Sequence, residues 1–178
     1  MKEKNKYLFI LCGEAFSGKS TVSKKLSEMY EAKIIGRDKI YFALDNILAL
    51  ENTSDEDDNN LWKNLWPISI QGIKNQLFLG HSVVVDDNCL YLKQREELRS
   101  LAKEMGVKNI LIYLNVSAKT LKERIEQNKI NKDRHEVPSS WLAEDSKLFE
   151  RPTENENPII YTENDTPDKL FEKFNSFL

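Results

Sequence analysis

The strongest chemical signal in the chain is Gly13-Glu14-Ala15-Phe16-Ser17-Gly18-Lys19-Ser20, which matches the phosphate-binding pattern GxxxxGK[ST]. Its glycines let backbone N–H groups curl around a β-phosphate, and a helix starting near Gly18 aims its positive end at the same charge. Lys19 is expected to reach the β- and γ-phosphates and Thr21 to approach the α-phosphate. Ser20 is expected to ligate Mg²⁺, which prefers octahedral oxygen coordination and leaves several positions to water and phosphate. A chance glycine-rich turn would give the same letters without a site, so the flanking elements matter. Tyr7 to Cys12 is an unbroken apolar run closed by Gly13, and Val22, Leu26, Met29 and Tyr30 recur at helical spacing after Lys19. Buried strand, loop, amphipathic helix is the context the motif requires.

A triphosphate site alone does not separate a kinase from a GTPase or an ATPase motor. The guanine-reading pattern NKxD is approached only by Asn131-Lys132-Asp133-Arg134, which has the wrong spacing and follows no strand. The remaining acidic and basic residues favour phosphoryl transfer to a hydroxyl. Asp38 falls just past the second strand-like run, and Asp86 ends the third, where open α/β sheets place their ligand crevice. Asp86 suits a water-mediated contact to Mg²⁺, while Asp38 is placed to accept the proton of an attacking hydroxyl, the alternative for Asp38 being a helix N-cap. Asp87 would point to the opposite side if the strand continued. Arg124 and Arg134 lie in a locally basic window from Lys119 to Arg134, and are expected to meet phosphate charge from a helix and a closing flap. For Arg124 an ordinary solvated helix face is the competing reading.

These residues need a scaffold. Short β-branched or apolar runs at Lys33 to Gly36, Ser82 to Asp86, Asn109 to Val116 and Pro158 to Tyr161 read as further strands. Between them, apolar residues at helical spacing start near Asp38, recur from 61 to 80 with an interruption near Pro67, and mark helices around Leu98 to Met105 and Ala118 to Lys129. Thr166 is placed to cap a last helix with Pro167 at its first position. Strands alternating with helices predict an α/β, three-layer P-loop fold, with a five-stranded parallel sheet in the order 2-3-1-4-5 and helices on both faces. Residues 1–178 read as one domain, with a solvated, mobile acidic loop at 51–60 and a polar lid at 128–136.

Composition narrows the partners. With 26 basic against 29 acidic side chains the formal charge is -3, so no global basic field recruits nucleic acid. No apolar run approaches the ~20 residues needed to span a bilayer, and the start at Met1 leads into a strand rather than a signal peptide, which predicts a cytoplasmic protein. Cys12 and Cys89 stand without a CxxC or Cys/His cluster and read as buried reduced thiols.

Taken together, the P-loop, Gly36-Arg37-Asp38, Val83-Val84-Val85-Asp86, Gln94-Arg95, Arg124, and Val137-Pro138 leading to Phe149-Glu150-Arg151-Pro152 resemble the AAA_33-type P-loop kinases. That group includes the kinase domain of phage polynucleotide kinase and is similar to zeta toxin and chloramphenicol phosphotransferase; the likeness runs from about Tyr7 to Tyr161. The resemblance implies an ATP- and Mg²⁺-dependent phosphotransferase, with Asp38 as general base and Arg124 and Arg134 as lid arginines. Two departures stand out: Tyr41 replaces the arginine with which polynucleotide kinase grips substrate phosphate, and Asn128 replaces a second lid arginine. The expected acceptor is therefore a hydroxyl-bearing small molecule. The rivals are a polynucleotide 5′-hydroxyl kinase, disfavoured by the acidic balance, and a nucleotide-binding regulator without transferase activity.

Overall fold

The computed structural model describes residues 6–48, 55–132 and 137–177. At its centre β1 (Tyr7–Cys12) is buried along its whole length. It pairs in parallel with β3 (Val83–Val85) on one side and β4 (Lys108–Leu114) on the other, and β2 (Lys33–Ile35) and β5 (Ile159–Tyr161) complete the sheet. The order is β2-β3-β1-β4-β5, all parallel, as the sequence predicts.

Alternate residues of β1 serve opposite faces, as strand geometry requires. Tyr7, Phe9 and Leu11 pack with Val22 and Leu26 of α1 (Lys19–Tyr30) and with Leu170 and Phe174 of the C-terminal helix (Pro167–Phe177). On the other face, Leu8, Ile10 and Cys12 meet Ile73 and Leu77, together with Leu98 and Leu101. Parallel sheets need both faces covered, and these two clusters provide the cover. In chain order the helices after α1 are α2 (Arg37–Leu48), α3 (Asp55–Phe78), α4 (Leu92–Glu104), α5 (Ala118–Asn131), α6 (Ser139–Leu148) and α7 (Pro167–Phe177). The predicted cap of α7 is present, with Lys169 N donating to Thr166 Oγ1 at 3.4 Å.

The departures from expectation are local. Residues 55–60 of the predicted acidic loop form the first turns of α3, and 51–54 lie outside the described residues. Pro67 sits inside α3 without ending it. Buried Leu65, Ser69 and Ile73 clamp the helix on either side of the proline, outweighing the single backbone bond it removes. Residues 128–131 of the predicted lid are the last turn of α5, and Asn128 is buried there. Arg134 lies outside the described residues. Helix α6 was not foreseen, since it is polar and buries none of its residues. Both cysteines are free and buried, and desolvation pushes the Cys12 thiol up to about 12. No helix among the described residues is long and apolar enough to cross a membrane.

One buried ionic cluster braces the C-terminal edge of the sheet. Arg95 of α4 is 1% exposed, and its Nε and Nη2 donate to Glu156 at 2.7 and 3.0 Å. Its Nη1 donates to Cys89 O at 2.9 Å, and Arg99 adds a further donor to Glu156 at 2.9 Å. Burial pushes the Glu156 carboxyl up, but the hydrogen bonds from Arg95, the Thr153 backbone N–H and Arg99 outweigh it and hold the group below 4.5. A depressed carboxyl contributes stability above its ordinary value and loses it as pH falls through the lower folded value. Arg95→Ala leaves the Glu156 carboxylate with Arg99 and the Thr153 N–H and removes two of its charged bonds, so it should cost about 1.5–3 kcal/mol of unfolding free energy near neutral pH. Urea titrations at pH 7 check this, and an unchanged midpoint would mean that the cluster adds nothing net.

Candidate active site

The site is assembled at the carboxyl ends of β1, β2 and β3. Gly36 sits where a Cβ would fall 2.3 Å from Asp86 O, so only glycine lets the end of β2 close on the end of β3. Asp86 N donates to Ile35 O at 2.8 Å, and Gly13 N donates to Asn88 O at 3.1 Å. These bonds tie the P-loop, the β3 end and the start of α2 into one rim. Gly18, at φ +105°, makes the left-handed turn from which α1 begins.

Lys19 is buried and its Nζ donates to Gly13 O at 2.9 Å and Glu14 O at 2.8 Å, so the ammonium lies across the loop it is expected to share with phosphate. Ser17 Oγ, in the same loop, is buried without a partner. Arg124 Nη1 donates to Phe16 O and Ser17 O, each at 3.0 Å, which fastens α5 to the loop. Its predicted helix is present, and the guanidinium points to the P-loop rather than to bulk solvent. Beside it a cavity of about 350 Å³ is lined by Gly18, Thr21, Arg124, Gln127, Asn128 and Tyr161.

Asp86 Oδ2 lies 3.0 Å from Ser23 Oγ, and that hydroxyl is also 3.1 Å from Ser20 O. The carboxylate is thus held one turn from the predicted Mg²⁺ ligand. The described donors are oxygens, and no cluster of His, Cys, Asp or Glu among the described residues could hold a metal unaided. This donor set fits Mg²⁺ shared between protein, water and phosphate, a hard cation that keeps much of its hydration.

Helix α2 starts at Arg37, and Gly36 O accepts its first helical bond from Ile40 N, so Asp38 lies in the first turn and the N-cap alternative falls to Gly36. Desolvation raises the Asp38 carboxyl above the usual 3.8. The charges of Asp87 and Asp86 push further in the same direction, against the opposing pull of Lys19 and Arg37. Lys19, Asp38 and Asp86 are therefore brought within electrostatic reach of one another. Asp87 is not turned away. The strand ends at Val85, so pleat alternation no longer governs it, and its charge acts on Asp38 more strongly than that of Asp86.

Sequence reading left Arg37 without a role. Its Nε donates to Asp87 Oδ2 at 2.6 Å and its Nη2 to Asp87 Oδ1, a two-pronged pair in which Asp87 is buried. The guanidinium lies 5.1 Å from the Trp62 ring and 5.5 Å from that of Trp66. On another side Asn88 Nδ2 donates to Asp145 Oδ2 of α6 at 3.1 Å. The sequence hint for Arg37 was its place between Gly36 and Asp38; nothing local marked Asp145.

A glycine-rich loop between the central strand and α1, facing carboxylates on the adjoining strand ends, defines a P-loop phosphate-binding protein of the kinase fold. The chain belongs to the AAA_33 family (AAA domain), which matches residues 8–152. A Schizosaccharomyces pombe protein named "Probable gluconokinase" is 28% identical over 158 residues, covering 87% of this chain and 78% of its own. Among solved structures, Chaetomium thermophilum Kti12 in complex with ADP-AlF3 superposes with a TM-score of 0.70 at 14% identity, covering 96% of each chain. The Mycobacterium tuberculosis APS kinase CysC in complex with AMPPNP and APS gives 0.60 at 16% identity, covering 97% of this chain and 96% of that one.

Proposed function

We propose that the protein is an ATP-dependent kinase that phosphorylates a hydroxyl group of a small molecule. The observation that carries this reading is the P-loop, with Lys19 lying across it and Asp86 held beside Ser20 by Ser23, to which Asp38 in the first turn of α2 adds a carboxylate on which Lys19 acts. A nucleotide-binding regulator has no need of a base there. The gluconokinase relative supports the same class of reaction.

The triphosphate is read onto the P-loop from Gly13 to Ser20, with Lys19 exchanging its loop carbonyls for the β- and γ-phosphates. The adenosine end is assigned to the cavity between Arg124 and Tyr161. Ser20 and Asp86 would hold Mg²⁺, which when bound neutralises charge on the phosphates. The acceptor oxygen attacks the γ-phosphorus as the bond to the β-bridging oxygen breaks, its proton passes to Asp38, and ADP leaves. Arg134 is assigned to the lid, as the resemblance implies.

Arg124→Ala removes a charged donor from the Phe16 and Ser17 carbonyls and one wall of the cavity. Bonds to a charged group contribute about 1.5–3 kcal/mol, so ATP affinity should fall roughly tenfold or more, read by calorimetry with AMPPNP. Wild-type affinity would make Arg124 an ordinary helix residue.

The reading as a whole is tested by ATP-dependent phosphorylation of a panel of sugars, nucleosides, hydroxylated antibiotics and 5′-hydroxyl oligonucleotides, with Asp38→Asn alongside. Transfer to a small acceptor that Asp38→Asn abolishes is the expected result. Transfer to oligonucleotides alone would favour the polynucleotide rival, and ATP binding without any transfer would favour a regulator.

A further inference from the structure

The acceptor side of the cleft has a charge pattern that selects among hydroxyl compounds, an inference that rests on the kinase reading. Asp38 and Tyr41 lie one turn apart on α2, and the Tyr41 ring meets Trp62 of α3 edge-on, with centroids 5.8 Å apart. Trp62 and Tyr41 are half-buried. Asp145 of α6 is held by Asn88, the residue that follows the Arg37 partner Asp87. The cations that act on both Asp38 and Asp145 are Lys19 and Arg37.

Neither cation is available to an acceptor. Lys19 is committed to the P-loop, and ATP will take its charge. Arg37 could grip a carboxylate or phosphate two-pronged, the use to which arginine is best suited. Its Nε and Nη2 are already taken by buried Asp87, and Trp62 and Trp66 cover its guanidinium. Withdrawing Asp87 from this pair would leave a buried carboxylate uncompensated, which holds the pair together. Among the described residues, Asp38 and Asp145 are carboxylates on which both Lys19 and Arg37 act, each an acceptor of hydroxyl protons when ionised. A carboxylate or phosphate on the acceptor would face like charge, whereas a hydroxyl chain or ring would find acceptors and a flat apolar surface.

We propose that the acceptor is a neutral polyhydroxy compound, held between the Tyr41–Trp62 wall and the Asn88–Asp145 pair, and that the Arg37–Asp87 pair withholds the arginine from anionic acceptors. Matched acceptors that differ in one anionic group test this: glucose against gluconate, ribose against ribose 5-phosphate, and adenosine against AMP, at fixed MgATP. The neutral member of any pair that is used should have the higher kcat/KM, by about tenfold or more, since like-charge juxtaposition costs several kcal/mol. Asp87→Asn frees Arg37 and should shift the preference toward the anionic member. Trp62→Ala, at a half-buried position, tests the wall without relying on that variant folding: it should raise KM for the neutral acceptor severalfold and leave KM for ATP unchanged. Equal or better use of the anionic members by the wild-type protein overturns this inference and leaves the kinase reading standing. Transfer to none of the neutral members, with transfer to another small acceptor of the wider panel that carries an anionic group, overturns this inference alone; ATP binding without transfer to any small acceptor overturns the small-molecule reading as well.

Discussion

Lys19→Ala is expected to abolish nearly all phosphoryl transfer and to weaken ATP binding markedly, while leaving the fold intact. In the structure the ammonium bridges Gly13 O and Glu14 O, so it already neutralises the carbonyl dipoles on the inside of the loop. When phosphate enters, the ammonium exchanges these carbonyls for phosphate oxygens within the same loop, and a cation held opposite the transferring group contributes more as charge develops there than in the ground state. The lost ground-state contacts correspond to about 1.5–3 kcal/mol, or roughly a ten- to hundredfold loss of affinity. Turnover should fall further, by about 10³-fold or more, as charge spreads over the transferring group. Calorimetry with AMPPNP and single-turnover rates separate the two effects. Wild-type affinity together with normal turnover would remove the triphosphate from this loop.

How much of this was legible in the sequence depends on how far apart the interacting residues lie. The P-loop is a local motif, and its strand and helix announce themselves by continuous burial and by helical spacing over a dozen residues, so Gly13 to Thr21 could be placed without a structure. Strand order followed because right-handed crossovers leave few ways to wind five parallel strands. Arg37 illustrates what was not legible. Its partner Asp87 is 50 residues away, and the indoles that cover it come from α3. No local pattern links those positions. Asp145 was missed for a different reason: α6 packs too little apolar surface to show a periodicity, so only the contact with Asn88 reveals it. The acidic start of α3 reads as a loop by composition. Its helical state depends on what Leu65 and Ile73 bury further along.

Asp38→Asn divides the assigned catalytic role from a structural one. Asparagine keeps the size of the side chain, so a residue that only serves the first turn of α2 should tolerate the change, losing about 0.3–1 kcal/mol of helix stability. A general base should not. A positioned base contributes typically ~10²–10⁴-fold, and turnover should fall by about that factor with AMPPNP affinity nearly unchanged. The pH dependence carries a second signature. Desolvation and the charges of Asp87 and Asp86 raise the Asp38 carboxyl above 3.8 in the free protein. The base is active when ionised, so activity governed by it should be lost as pH falls through that raised value. A carbon-detected titration of the free protein should place the Asp38 carboxyl above 3.8, and Asp87→Asn should bring it down, since that substitution deletes a neighbouring negative charge and releases Arg37. If Asp38→Asn turns over at the wild-type rate with chemistry rate-limiting, the carboxylate only serves the start of α2 and the proton goes elsewhere. A slow Asp38→Asn enzyme, together with a wild-type rate that falls with the same pKa as the Asp38 titration, establishes the base, because a structural carboxylate would not govern the pH–rate profile.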